Sequence, residues 1–254
     1  MINISEEMMT YDLKMLKNQG FEVQAINPET LRLGLMNGIA RIAEKANLSC
    51  PMVYVVTSEK RIACNIPMTG SLAFSDGYLK DEKYTLDDVL CSAQHEFGHL
   101  LSRDIVIKGQ AIDYYAGGIT KLVLFGASCM AIWGFLTADP QKNTSLTVAI
   151  ASTAANITSS LVSKKFARDS EYAADEIGAY LGGNPLAIIS SLQKITNAAN
   201  NHRHPILGRL FNKHPSISER VLHLKEVAQN LHEDGTVINR QKIPSRIKNL
   251  PSLK

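Results

Sequence analysis

Gln94-His95-Glu96-Phe97-Gly98-His99-Leu100-Leu101 is the stretch on which the reading of this chain turns. His95 and His99 stand four residues apart, about one turn of an α-helix, so their imidazoles share a face about 6 Å apart along the axis. At that spacing both rings can reach one tetrahedral Zn²⁺, with Glu96 beside the metal as general base for its bound water. The bland alternative is a surface helix that happens to carry two histidines and a glutamate. Three residue types at the required spacing, on an amphipathic helix, favour the metal reading.

The helix follows independently of those three residues. Thr85 at the N-cap and Asp88 at N3 resemble a capping box, and Asp87 adds negative charge to the first turn. Leu86, Leu90, Ala93, Phe97, Leu100 and Leu101 repeat at 3–4 spacing, a stripe for burial, and His95, Glu96 and His99 lie mostly off it. Gly98 in mid-helix costs about 1 kcal/mol relative to Ala. Either it is simply tolerated there, or a substrate backbone passes close by.

At 254 residues the chain can form one sizeable domain, or one domain plus a membrane element. Its formal net charge of +3 is too weak to argue for nucleic acid, and none is expected as a partner. Cys50, Cys64, Cys91 and Cys129 contain no C-x-x-C pairing and read as reduced, mostly buried thiols, not a disulfide frame or a cysteine zinc site. Met1 to Gly20 mixes Glu, Asp and Lys throughout, so no signal peptide is expected.

Working outward toward the N-terminus, Leu72-Ala73-Phe74-Ser75 reads as a strand turned at Asp76-Gly77. The segment from Arg61 to Gly70 reads as an edge strand that tolerates Pro67, and Met52 to Val56 as a further strand. Asn27 and Pro28 open a helix carrying Leu31, Leu35, Ile39 and Ile42 and ending near Asn47. Residues 1–27 read as a polar helix and a short strand. Toward the C-terminus, Leu122–Ala138 and Asn143–Ser163 are uncharged, separated by a polar turn at Asp139-Pro140-Gln141-Lys142. The first run nearly meets the requirement of about 20 apolar residues for a span; the second is rich in Ala, Ser and Thr and suits close helix packing. Basic residues flank the pair on both outer sides (Arg103, Lys108, Lys121; Lys164, Lys165, Arg168). The positive-inside rule then sets the flanks and the metal site on the cytoplasmic side of a membrane. The alternative is a buried hairpin in a soluble cytoplasmic protein.

A catalytic zinc takes three protein ligands and a water. Beyond the hairpin, Glu171 and Asp175 lie one turn apart on a helical segment that stops at Gly182-Gly183. Glu171 suits a ligand and Asp175 an acceptor that orients a ligand imidazole, with Asp169 and Glu176 as open rivals. Asn184 and Pro185 start another helix. His202 and His204 follow in a polar loop and read as bystanders, and His214 precedes a capping box at Ser216 and Glu219.

Taken in order, Asn65…Gly70, Ser75-Asp76-Gly77, His95-Glu96-Phe97-Gly98-His99, the two uncharged runs, Arg168-x-x-Glu171-Tyr172-x-Ala174-Asp175 and His214-Pro215-x-x-x-x-Arg220 resemble HtpX-type membrane zinc metallopeptidases. These are gluzincins related to the CAAX prenyl protease, and the resemblance covers residues 30–232. It implies His95, His99 and Glu171 as ligands of one Zn²⁺, Glu96 as base, and Asp175 behind a ligand histidine. It further implies that His214 and Arg220 stabilise the oxyanion and that the Asn65 strand binds substrate main chain. HtpX proper resembles a four-span protein with a hydrophobic N-terminal hairpin, whereas this chain starts with a charged helix.

The expected fold is therefore α+β and mainly helical. A zincin-like metallopeptidase domain covers 28–232, with a small edge-exposed β-sheet and an inserted hydrophobic, transmembrane hairpin at 119–163. A helical extension occupies 1–27, and a basic, disordered tail occupies 233–254, where the last twenty residues hold five basic residues and no acid. The expected activity is zinc-dependent endoproteolysis of misfolded or membrane-associated proteins. The alternative is a catalytically silent, membrane-associated zinc protein acting as an interaction module.

Overall fold

The period-two pattern of the strands decides where the core lies. In the computed structural model, which describes residues 4–24, 34–66, 68–112, 114–115, 118–137, 142–198, 214–232, 236–245 and 247–250, the strands form one four-stranded sheet. These are β1 (Val23–Gln24), β2 (Val53–Val56), β3 (Ala63–Ile66) and β4 (Ser71–Ser75), in the order β1-β2-β4-β3. β2 and β4 are parallel, with Val53 opposite Leu72, while β1 and β3 run antiparallel to their neighbours. β3 is thus an edge strand, four residues long rather than the ten suggested by the sequence.

Val53, Val55, Leu72 and Phe74 enter one buried cluster, and Tyr54, Val56 and Ala73 enter another. The first is built with residues of α2 (Leu35–Lys45), α4 (Leu86–Leu101), the C-terminal part of α7 (Lys142–Gly182), α8 (Pro185–Ala198) and α9 (Ile217–Ala228). The second takes Leu16 from α1 (Ile4–Asn18). Asp12 of α1 is fully buried, and its carboxylate accepts hydrogen bonds from the hydroxyls of Tyr54 at 3.0 Å, Thr69 at 2.6 Å and Ser71 at 2.6 Å. A carboxylate with three hydroxyl donors is satisfied only in place, so the N-terminal helix is part of the sheet's packing.

Local chemistry sets the ends of these elements. Thr85 and Asp88 make both bonds of the capping box on α4, and Lys194 of α8 reaches Asp88 at 2.6 Å. α2 ends in a Schellman motif: Asn47 adopts φ 54°, the Leu48 N–H donates to Ala43 and the Asn47 N–H to Glu44. The turn expected at Asp76-Gly77 is instead the first turn of α3 (Asp76–Lys80), because the Ser75 hydroxyl accepts from the Tyr78 N–H and caps it.

The chain divides into two compact units, one of 1–103, 172–201 and 216–254, the other of 104–171 and 202–215. The second holds most of α5 (Arg103–Ile112), α6 (Gly118–Thr137) and α7 up to Glu171. The two uncharged runs are helical over 122–137 and 143–163. The second run and the Glu171 segment, read as separate helices, form one 41-residue helix, since no proline and no glycine before Gly178 interrupts them. Of the hairpin expected over 119–163 the structure shows two helices, and among the described residues no helix is long and apolar enough to cross a membrane. In α7 the physical reason is the Ser and Thr content of the second run. On α6, Leu122, Phe125 and Trp133 are 73%, 70% and 68% exposed.

The tail also departs from expectation. Ile243 and Ile247 are 3% and 0% exposed and belong to the main core, and Leu231 pairs with Val237 across an isolated bridge. Asn230 anchors the segment, donating to the Asn239 carbonyl and the Tyr180 hydroxyl and accepting from the Asn239 N–H. Charge content alone hid two apolar side chains at i, i+4 spacing. The helix start at Asn27 and Pro28, Pro67, the turn at 139–141, and His202 and His204 lie outside the described residues.

Candidate metal centre

Small residues let α4 and α7 meet backbone to backbone. A Cβ on Gly98 would lie 2.6 Å from Cα and 2.7 Å from C of Ala174, and nearer still to its carbonyl oxygen. One on Gly178 would lie 3.0 Å from the Gln94 carbonyl oxygen and 3.2 Å from the His95 nitrogen. Because 98 meets 174 while 94 meets 178, the helices cross antiparallel. Gly98 therefore makes room for a neighbouring helix, not for a substrate backbone. The signal for this lay in Ala174-x-x-x-Gly178-x-x-x-Gly182, which aligns three small residues on one helical face.

That approach carries Asp175 to His95. The Asp175 side chain is fully buried, and its Oδ1 accepts from Nδ1 of His95 at 2.9 Å. An ionised carboxylate only accepts, so Nδ1 carries the proton and Nε2 is the ring nitrogen left to bind a metal. Arg220, on α9, donates to the same carboxylate through Nε at 2.7 Å and Nη2 at 2.6 Å. Burial pushes the Asp175 carboxyl up, but the hydrogen bonds and charges of Arg220 and His95 outweigh it and hold the group below the usual carboxylate range. Arg220, expected at the oxyanion, is thus paired with Asp175 in a two-point fork.

The rings of His95 and His99 meet edge to face, with centroids 4.6 Å apart. Each of these histidines and Glu171 offers one ligand atom, and the three atoms lie within 4.8 Å of one another. Glu171 is buried. Asp169 is exposed, and Glu176 faces His223 at 3.9 Å, its carboxyl pushed up to about 7 by burial. His214 brings Nδ1 to 3.1 Å from Glu171 Oε1 and keeps most of its ring exposed.

Glu96 is 8% exposed. Its Oε2 accepts from the backbone N–H of Asn65 at 3.0 Å and from the side-chain amide at 2.7 Å. Burial, with the Glu96 charge added, pushes the neighbouring Cys64 thiol up to about 11. Asn65, expected to touch substrate main chain, touches Glu96. No spacing in the sequence pointed to that contact, since 31 residues separate the partners. Two imidazoles and a carboxylate, one imidazole oriented by a buried acid, form a donor set that suits a divalent metal with an open position.

Protease HtpX homologues of Thermodesulfovibrio yellowstonii and Pelotomaculum thermopropionicum are each 28% identical, over 77% of this chain and 75% and 76% of their own lengths. The homologue of Thermococcus kodakarensis is 28% identical over 75% of this chain and 72% of its own length. The crystal structure of S. mikatae Ste24p matches 85% of the chain with a TM-score of 0.56 at 16% identity, a likeness of fold. This chain spans 57% of that protein's resolved length. The model of peptidase family M48 matches residues 35–228, a range that includes both histidines, Glu96, Glu171, Asp175 and Arg220, and the chain belongs to that family.

Proposed function

We propose that the chain is a zinc-dependent endopeptidase. The observation that supports this most is the grouping of His95, His99 and Glu171 ligand atoms within 4.8 Å, with Glu96 following His95 in sequence. Zinc held by these three residues would polarise the scissile carbonyl and acidify a water. Glu96 accepts the proton of that water and passes it to the leaving amine. Asp175, with Arg220 behind it, keeps the His95 ring in the tautomer that presents Nε2. His214 takes the developing oxyanion in this reading, which its contact with Glu171 and its exposure support. Proteins and peptides presenting an extended segment, as misfolded chains do, can add to the free side of β3 at the groups other than the Asn65 N–H, which Glu96 holds.

Membrane association belongs to the same proposal. The exposed Leu122, Phe125 and Trp133 of α6 and the basic residues flanking the two uncharged runs support contact with lipid, with the site on the cytoplasmic side. The test of the activity is a matched pair, wild type and Glu96→Gln, assayed for bound zinc and for cleavage of casein with and without chelator. Wild type should bind one zinc and cleave until the chelator is added, and Glu96→Gln should bind zinc and not cleave. A Glu96→Gln protein that cleaves at the wild-type rate refutes the assignment of the base.

A further inference from the structure

A general base works only if its carboxylate is aimed, and a glutamate side chain left alone samples several rotamers. In this protein both donors that hold Glu96 come from one residue, Asn65, and both end on the same oxygen, Oε2. Asn65 lies within β3, in register with Leu72 of β4. Leu72 donates its N–H to Met52, away from β3, so Asn65 turns its backbone N–H to the free edge of the sheet, where it donates to Glu96. A paired strand is a rigid support, so the donors arrive from a fixed place.

We propose that Asn65 is the positioning residue of the base: its backbone and side-chain N–H groups clamp Oε2 of Glu96 and leave Oε1 as the oxygen that takes the proton from water. This rests on Glu96 being the base. It assigns the Asn65 side chain to the enzyme's own carboxylate and not to the substrate main chain. Two hydrogen bonds to an ionised acceptor are short and strong, and their fixed directions select one rotamer.

The two tasks differ in kinetics. Asn65→Ala keeps the backbone donor and removes the amide, and Asn65→Asp replaces the amide with an acceptor of like charge. With a quenched fluorescent peptide, and rates normalised to bound zinc, Asn65→Ala should lower kcat about 10- to 100-fold and leave KM within about twofold. Asn65→Asp should lose more. A KM that rises about tenfold with kcat unchanged would overturn the proposal and return Asn65 to substrate binding.

A second measurement stands whether or not these variants fold. In protein labelled with 15N-asparagine, the Asn65 side-chain amide protons should resonate downfield and exchange slowly, and Glu96→Ala should abolish both properties. Unchanged amide signals in Glu96→Ala would equally overturn the clamp. If Glu96→Gln proves fully active, the assignment of the base fails. If Glu96→Gln is inactive while Asn65→Ala keeps full kcat, only the clamp fails.

Discussion

Gly98→Ala is the substitution that tests how the site is assembled. On an exposed helix this change gains up to about 1 kcal/mol, because Ala is the better helix former. Here the new Cβ would sit 2.6 and 2.7 Å from backbone carbons of Ala174, with no flexible side chain to yield. Restoring ordinary contact, at 3.4 Å or more, means moving α4 and α7 apart by about 1 Å at the crossing. Overpacking of this kind costs about 1–3 kcal/mol, which exceeds the propensity gain. At about 2–4 °C per kcal/mol for a chain of this size, the melting temperature should fall by several degrees. The catalytic loss should be larger than the loss of stability. Asp175 is bonded to His95 at 2.9 Å across the same crossing, and a displacement of about 1 Å in a reacting constellation costs about 100-fold in rate. Differential scanning calorimetry, zinc titration and peptide hydrolysis on Gly98→Ala together read all three effects. A Gly98→Ala variant that melts higher than wild type and hydrolyses peptide at the wild-type rate refutes the close approach of the two helices.

Asp175→Asn keeps the shape and removes the charge between Arg220 and His95, and zinc affinity measured by competition with a chromogenic chelator should fall about 10- to 100-fold. Ile247→Ala should cost about 2–5 kcal/mol in chemical denaturation, because the side chain is wholly buried; an effect near zero would mean that the C-terminal segment is not packed on the core. Glu176 should make stability depend on pH. Its carboxyl is pushed from 4.5 up to about 7 by burial, so the folded state holds a proton that the unfolded state releases first. The stabilising contribution is full below pH 4.5 and is lost as pH rises through about 7. His223 and Tyr180 are the titratable groups facing it. Glu176→Gln should therefore melt higher than wild type at pH 8, with the difference shrinking toward pH 5. A gap independent of pH would show that Glu176 does not titrate differently in the two states.

Local order was readable from local chemistry. The capping box at Thr85, the period of the apolar stripe through Phe97 and the alternation in β2 and β4 are set by residues within a few positions of one another, and the helix and strands form where those patterns fall. The pair His95 and His99 on one helical face belongs to the same class, because helix geometry alone carries it. Spacing did not separate Glu171 from Asp169 and Glu176, since all three lie on the same few turns and only the approach of another helix distinguishes their surroundings. What Gly98 makes room for, and what Arg220 and Asn65 hold, depended in the same way on contacts between residues far apart in the chain: Gly98 with Ala174, Arg220 with Asp175, Asn65 with Glu96. Sequence by itself determined which residues could ligate, cap or bury, because those are properties of side chains and of periodic backbone. Tertiary structure decided which side chains meet, because a small-residue crossing and one edge strand bring distant positions within bonding distance, and no local pattern encodes that distance.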